Sequence, residues 1–581
     1  MLCYRTEART CALALIAIVC ITSERSEAKD RWTNDTGKHH VEAEFVELQG
    51  EILVLRSESG KKITVPLAKL DEASRRLAQT RAAELAKQQD NPAPKSTILT
   101  LEQLNERARG SIRPDDNMVV AFWSAVGSEA IHRDEAIRRK YLDALGGNVV
   151  EPAVPFVSWF AFVKAEGNGQ NFGHDHSPLL ATDANAVERW LARNEAPLDA
   201  VVAAVSRPAY FSPTILEADD DPLWKSIIPI GIPAKDVARG LLTRAQRHRR
   251  HGDLDSAVND AIAVLRLSRH LNRESTLIGL LMARAMESMA IESVAATAND
   301  ERFTRTAADQ LNQRTRGLPP RADFIEKLDF EKASDANIIT RIAEEGPREL
   351  LNFIVDYVGQ SSPESVAWAD TDAGRTAIAT SPQFWEGASR PVWSGGAVEV
   401  ASIYDGYSRN LAAEPVFDRG SRFEQIFNEE RVPKLRSLFT TKDQSPETNE
   451  AKARLFSGRL PPDATAEDIA LCIHRIVCPD LEIYARLDAD AAVREALLPT
   501  VIALGLYKAD HSELPLSLKE LTPEYLTTPP MDPLFDQELV FKPDVGGYAL
   551  YSTGKNGVDD GGTYTAEEDK DDIGLIAVPS Q

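Results

Sequence analysis

Three places in the 581-residue chain combine residue types that could do chemistry. The first is His174-Asp175-His176: on an extended backbone, alternate residues point the same way, so the two imidazoles could share a metal. No HExxH and no second carboxylate at ligand spacing accompanies them, and an ordinary surface loop is the plainer reading. The preceding Gly167, Gly169 and Gly173 do not make a dinucleotide fingerprint, because their spacing is one residue too long and no helix opens after them. The second place holds His474 between Cys472 and Cys478. Six residues of continuous helix separate the thiols by about 9 Å, beyond the roughly 7 Å reach of a disulfide. Pro479 would allow a bend, so three readings stand: buried thiols, a disulfide, or a metal site that lacks a fourth ligand. The third is a run of seven acidic residues between Asp559 and Asp572, which reads either as a solvated tail or as oxygen donors for a hard cation. For nucleophilic catalysis the sequence offers no GxSxG elbow and no reactive-cysteine motif. A non-enzymatic protein is therefore expected, the alternative being an enzyme whose site, near His174 and His176, follows no familiar motif.

The elements that would position these groups belong to more than one domain, since the chain exceeds the size at which a single core stops growing. With 43% hydrophobic and 27% charged residues it has the composition of a globular protein. Its formal charge of -23 repels phosphate backbones and anionic lipid, which argues against a nucleic-acid or membrane-surface role. Arg5 and Arg9 precede a short apolar run, Cys11 to Ile21, and Ser26-Glu27-Ala28 offers a cleavage site, so residues 1–28 read as an export signal. The run is too short for a stable span, and the protein is expected in the periplasm, the cell envelope or the medium. An uncleaved anchor, or a lipoprotein on Cys20, is the alternative.

Residues 29–78 read as a small β-barrel. Val41, Ala43 and Phe45 alternate with Glu42 and Glu44, Glu51 to Glu58 and Lys61 to Val65 follow as strands, and Pro66 ends the last one. A helix from Asp71 to Gln89 and a break at Asn91-Pro92-Ala93-Pro94 form a linker, 79–115. Residues 116–480 read as mostly helical. Within them Leu241, Ala245, Gly252, Ala257 and Ala261 fit one tetratricopeptide-like helix pair, turning at Gly252-Asp253, and Leu277 to Met289 carries an apolar Met-rich stripe expected in the core. The Gly-, Pro- and Ser-rich stretch from about Thr371 to Gly420 reads as a long loop or insertion across the helical body.

The stretch Arg31 to Leu70 resembles the first Sla-homology domain, the SHD module of fungal endocytic adaptors and of exported planctomycete-type proteins. Arg31-Trp32-Thr33, Gly37-Lys38, Val41 to Phe45 and Ile63-Thr64-Val65-Pro66-Leu67 with Leu70 carry the likeness. It implies an SH3-like barrel that binds protein or peptide partners, with Trp32 and Phe45 as the expected peptide-contacting residues.

From about Ala485 the chain is similar to the globular half of type II secretion pseudopilins. The carriers are Ala503 to His511, Leu514-Pro515 with Ser517-Leu518, Met531-Asp532-Pro533-Leu534, Gly547 to Gly554, Gly557 to Gly562 and Asp571-Asp572-Ile573. The likeness implies an α+β module over 481–581 with a structural calcium at Asp559, Asp560, Asp571 and Asp572. The processed N-terminal helix that polymerises in that family is missing here, so fibre assembly does not carry over. A secretion-apparatus component remains an alternative to an adaptor or scaffold protein of the cell envelope.

Overall fold

The computed structural model of the chain describes residues 31–79, 97–166, 178–345, 390–426, 465–477 and 481–577, apart from short stretches inside those ranges. The chain divides into one unit over Cys20–Thr97 and another that holds everything from Ile98 onward.

In the first unit, β1 (Arg31–Thr33) pairs antiparallel with β2 (His40–Glu42). The strands β3 (Glu44–Gln49), β4 (Ile52–Arg56) and β5 (Lys62–Pro66) form an antiparallel meander in that order. The single strand expected through Val41 to Phe45 is instead two, and a bulge between Phe45 and Glu47 shifts the register of β3 against β4. Such a bulge raises local twist, which a small sheet needs in order to coil over its core. That core contains Trp32, Leu53, Leu55, Leu70 and Ala78. A bridge between Asn34 and Leu70 ties the end of β1 to the chain beyond β5. The helix over 72–79 is closed onto β1 by side-chain hydrogen bonds. Asp71 accepts from the Ser74 amide at 2.8 Å, and Ser74 Oγ accepts from the Thr33 amide at 2.9 Å.

The second unit is mostly helical, as expected. Its first helices are α1 (Leu101–Arg109), α2 (Met118–Val126), α3 (Glu135–Leu145), α4 (Trp159–Ala165) and α5 (Ala184–Ala204). The extended segment between α5 and α6 is held by two asparagines that act as surrogate strand partners. Asn117 accepts from the Phe211 amide at 3.0 Å and donates to the Phe211 carbonyl at 2.9 Å. Asn105 does the same for Thr214, at 2.9 and 2.8 Å.

Then come α6 (Gly231–Arg250), α7 (Leu254–Leu271) and α8 (Leu277–Ala298). Gly252 takes the left-handed φ of +83° that the turn requires, and Asp253 caps α7 by accepting from the Ser256 amide. Leu241, Ala245, Ala257 and Ala261 are all fully buried, so the helix pair read from their spacing is present. α8 lies at the centre of the unit and buries Leu280, Ala283, Met286 and Ala290, together with the charged Arg284 and Glu287.

The remaining helices are α9 (Arg305–Arg316), α10 (Leu328–Glu345), α11 (Arg390–Ala412), α12 (Arg419–Gln425), α13 (Ala466–Val477) and α14 (Leu481–His511). The loop expected from Thr371 to Gly420 is corrected over Arg390–Ala412, which is helix. The glycine taken as a loop signal permits close packing instead: a Cβ on Gly395 would lie 2.8 Å from Cβ of Ala466 on α13.

After α14 come β6 (Val540–Asp544), β7 (Gly547–Ser552), the short pair β8 (Tyr564–Thr565) and β9 (Lys570–Asp571), and β10 (Ile573–Ala577). β7 is the centre of an antiparallel sheet ordered β10-β7-β6. The α+β character expected there is present, but the boundary near 480 does not separate two cores. Leu497, Val501, Leu504, Leu550 and Leu575 join the same hydrophobic cluster as Trp123, Leu241 and Met286.

Charge fastens α14 to the helical body as well. Glu287 accepts from Arg269 at 2.8 Å, from Arg284 at 3.1 Å and from Arg321 at 3.4 Å, while Arg269 and Arg321 reach on to Glu495 and Arg284 to Asp488. Buried charges persist only when paired in this way.

Candidate functional site

In the three-stranded meander of the first unit, period-two alternation sends Leu53 and Leu55 inward, both fully buried, and turns Ile52 outward at 46% exposure. The register sets Ile52 opposite Pro66 of β5, which is also exposed, with exposed Thr64 two residues along β5. Ile52 and Pro66 thus form an apolar pair on the solvent side of the meander. Trp32 is not beside it. At 1% exposure the indole belongs to the core, which corrects its expected place in a surface groove: burying so large a ring supplies much of the cohesion available to a domain this small. The backbone of Phe45 pairs with Leu55, while its side chain lies outside the described residues.

A family model, SLA1 homology domain 1 (SHD1), matches residues 25–80. No curated protein and no solved structure matches the chain. An SHD1 module suggests protein interaction, and on the described surface of this unit Ile52, Thr64 and Pro66 are exposed whereas Trp32 is buried. The signal for Ile52 was in the unbroken apolar run Ile52 to Leu55, which on a strand sends Leu53 and Leu55 to one side and Ile52 with Val54 to the other.

The structure brings the four carboxylates of the C-terminal loop into one hydrogen-bonded system and gives them separate tasks. Asp559 accepts from Lys542 Nζ at 3.0 Å, from the Tyr551 hydroxyl at 2.7 Å and from the Gly561 amide at 3.0 Å. The Tyr551 hydroxyl and the Lys542 ammonium hold its carboxyl below the usual range. Asp571 Oδ2 accepts from the amides of Lys555 and Asn556, and Asp560 Oδ2 accepts from Asn556 Nδ2. Gly554 is required at the start of this loop, because a Cβ there would lie 2.1 Å from the Asp571 carbonyl oxygen. Asp572 Oδ2 accepts from the amides of Asp560 and Gly562 at 2.9 and 2.7 Å, whereas its Oδ1 is buried with no hydrogen-bond partner among the described residues. Burial pushes the Asp572 carboxyl up, and Asp560 and Asp559 add to that.

Among the described residues no group of three or more His, Cys, Asp or Glu side chains is gathered closely enough to hold a metal ion. A calcium ion here would draw on backbone carbonyls beside Asp572 and Asp571, a donor mixture that calcium accepts. The buried open oxygen of Asp572 fits such an ion, and Asp559, bound to Lys542, fits it less well.

His174 and His176 lie outside the described residues, as do Cys478, the side chain of Cys472 and residues 1–28. His474 is buried at 1% exposure and faces Asp335 and Tyr407. Among the described residues no helix is long and apolar enough to cross a membrane.

Proposed function

We propose that the chain is an exported, non-enzymatic adaptor or scaffold that binds protein or peptide partners through its SHD1 module. The match to SHD1 over residues 25–80 is the observation that carries this reading. The outward Ile52 and Pro66 give it a surface, since extended peptides dock on sheets through apolar side chains at alternate positions. Panning a random-peptide display library against the whole chain tests it. Enrichment of a consensus on the native protein, lost with Ile52→Asp and kept with a distant surface control, is expected. Failure to enrich, or equal enrichment on Ile52→Asp, ends the proposal.

The open Asp572 oxygen supports a second, structural reading in which calcium stabilises the loop 554–572, with Asp572 and Asp571 as donors, Asp560 beside them and Asp559 held by Lys542. Ligand binding to the folded state alone raises stability by mass action. Millimolar calcium should raise the melting temperature of the whole chain over an EGTA control, and Asp572→Asn should abolish the rise. An unchanged melting temperature removes the ion.

A further inference from the structure

A cavity of about 420 Å³ opens between the end of α1, the clamped segment around Phe211, the α7–α8 turn and residues 320–326. Its size lies in the range of small-molecule pockets, about 300–1,000 Å³. Three charged residues line it, Arg273, Arg321 and Glu326; Arg321 is paired with Glu287 and Glu495, whereas no ion pair joins Arg273 or Glu326 to each other or to any other described residue. That sets Arg273 apart from the arginines nearby, since Arg269, Arg284 and Arg321 are each paired with carboxylates. Ser275, whose hydroxyl carries no hydrogen bond to any described residue, also lines the cavity. It directly precedes Thr276, the N-cap of α8, where the helix dipole favours a negative group.

The walls are fixed before any ligand arrives. Asn117 holds the Phe211 backbone, Asn272 donates to the Ala322 carbonyl at 2.9 Å, and Arg321 donates to the Ala491 carbonyl at 2.8 Å. Pre-organisation of this kind lowers the ordering cost of binding.

A simple anion would meet Arg273 but face Glu326, and a simple cation would meet the reverse. We infer that the cavity binds a small zwitterion of the amino-acid or dipeptide class, its carboxylate on Arg273 and Ser275 and its ammonium on Glu326. Ile112, Pro320 and Ala322 then supply apolar contact for the ligand's side chain.

Calorimetry on the whole chain with free amino acids and dipeptides, their C-terminal amides and their N-acetyl derivatives tests the inference without altering the protein. The free zwitterions should bind at least about tenfold more tightly than either blocked form, the expected weight of one charged hydrogen-bonded contact. Arg273→Gln should erase the advantage of the free acid over its amide. Glu326→Gln should erase that of the free amine over its N-acetyl form, and both variants should melt with the native chain. Absence of binding at millimolar ligand, equal binding of the blocked forms, or binding indifferent to both substitutions overturns it. Equally tight binding of acetate, which carries the anion alone, overturns it too.

Discussion

His474 Nδ1 lies 3.2 Å from Asp335 Oδ2, with both side chains at 1% exposure, and this contact joins α13 to α10. Tyr404 of α11 donates to the same oxygen at 3.0 Å, and the Tyr407 hydroxyl lies 3.2 Å from His474 Nε2, so three helices meet through one carboxylate. Burial raises the Asp335 carboxyl well above its usual range. Asp335→Ala removes an acceptor shared by two buried donors and should cost about 3 kcal/mol or more. Asp335→Asn keeps an acceptor oxygen in place and should cost clearly less. Urea unfolding of both variants measures the difference, and equal losses would show that packing volume matters there rather than the hydrogen bonds.

Glu331 makes stability depend on pH near neutrality. Its Oε1 accepts from the Leu277 amide at the start of α8, and burial pushes its carboxyl up to about 7. An unfolded glutamate titrates at about 4.3, so between these values the unfolded chain has lost a proton that the folded chain keeps. Stability from this group therefore falls as pH rises through that window, and the loss is complete above about pH 7. Glu331→Gln cannot titrate. It should match the native chain near pH 4.5 and exceed it at pH 7.5 by something on the order of 2 kcal/mol. Parallel pH profiles of melting temperature would assign the dependence elsewhere.

How much of this was legible in sequence differs from element to element. Leu241, Ala245, Ala257 and Ala261 disclosed a helix pair because local periodicity alone decides which face is buried. Residues 390–412 misled because Gly395 there serves a close helix contact with Ala466, and composition cannot tell that use of glycine from a turn. Trp32 was rightly placed on a strand of the N-terminal unit but on the wrong side of it, since a three-residue strand is too short to show an alternation. Arg273 and Glu326 could not be joined in advance at all: they lie on different turns of chain, and only the packing of α1, the Phe211 segment and the α7–α8 turn brings them to one cavity.

Arg284 and Asp488 form a pair between α8 and α14 with each side chain about 4% exposed. Asp488 also accepts from the Phe324 amide at 3.3 Å. Asp488→Ala leaves a buried guanidinium with Glu287 as its one carboxylate partner among the described residues, and with the Ala322 carbonyl, and should cost about 3–5 kcal/mol. Removing both charges, with Arg284→Met and Asp488→Leu, should cost less than Asp488→Ala, because no uncompensated charge stays buried. Denaturant midpoints of the two variants decide it. A double variant as unstable as the single one would mean that the pair contributes net attraction beyond its desolvation.

Asn117 does three things with one buried amide: its Oδ1 accepts from the Val119 amide, capping α2, and from the Phe211 amide, while its Nδ2 donates to the Phe211 carbonyl. Asn117→Ala loses the cap and both clamp bonds, at roughly 1 kcal/mol each, or about 3 kcal/mol in all. Asn117→Asp separates the roles. An ionised aspartate keeps both acceptor contacts but sets a charge against the Phe211 carbonyl, so at neutral pH it should be nearly as damaging as alanine. A protonated aspartate can donate to that carbonyl. Its folded pKa must then lie above the unfolded value of about 3.9, and its deficit relative to the native chain should shrink as pH falls below about 5. Melting curves of the two variants from pH 4 to 8 test this. A deficit that stays constant with pH would show that the donor half of the clamp adds nothing, leaving Phe211 held by its amide alone.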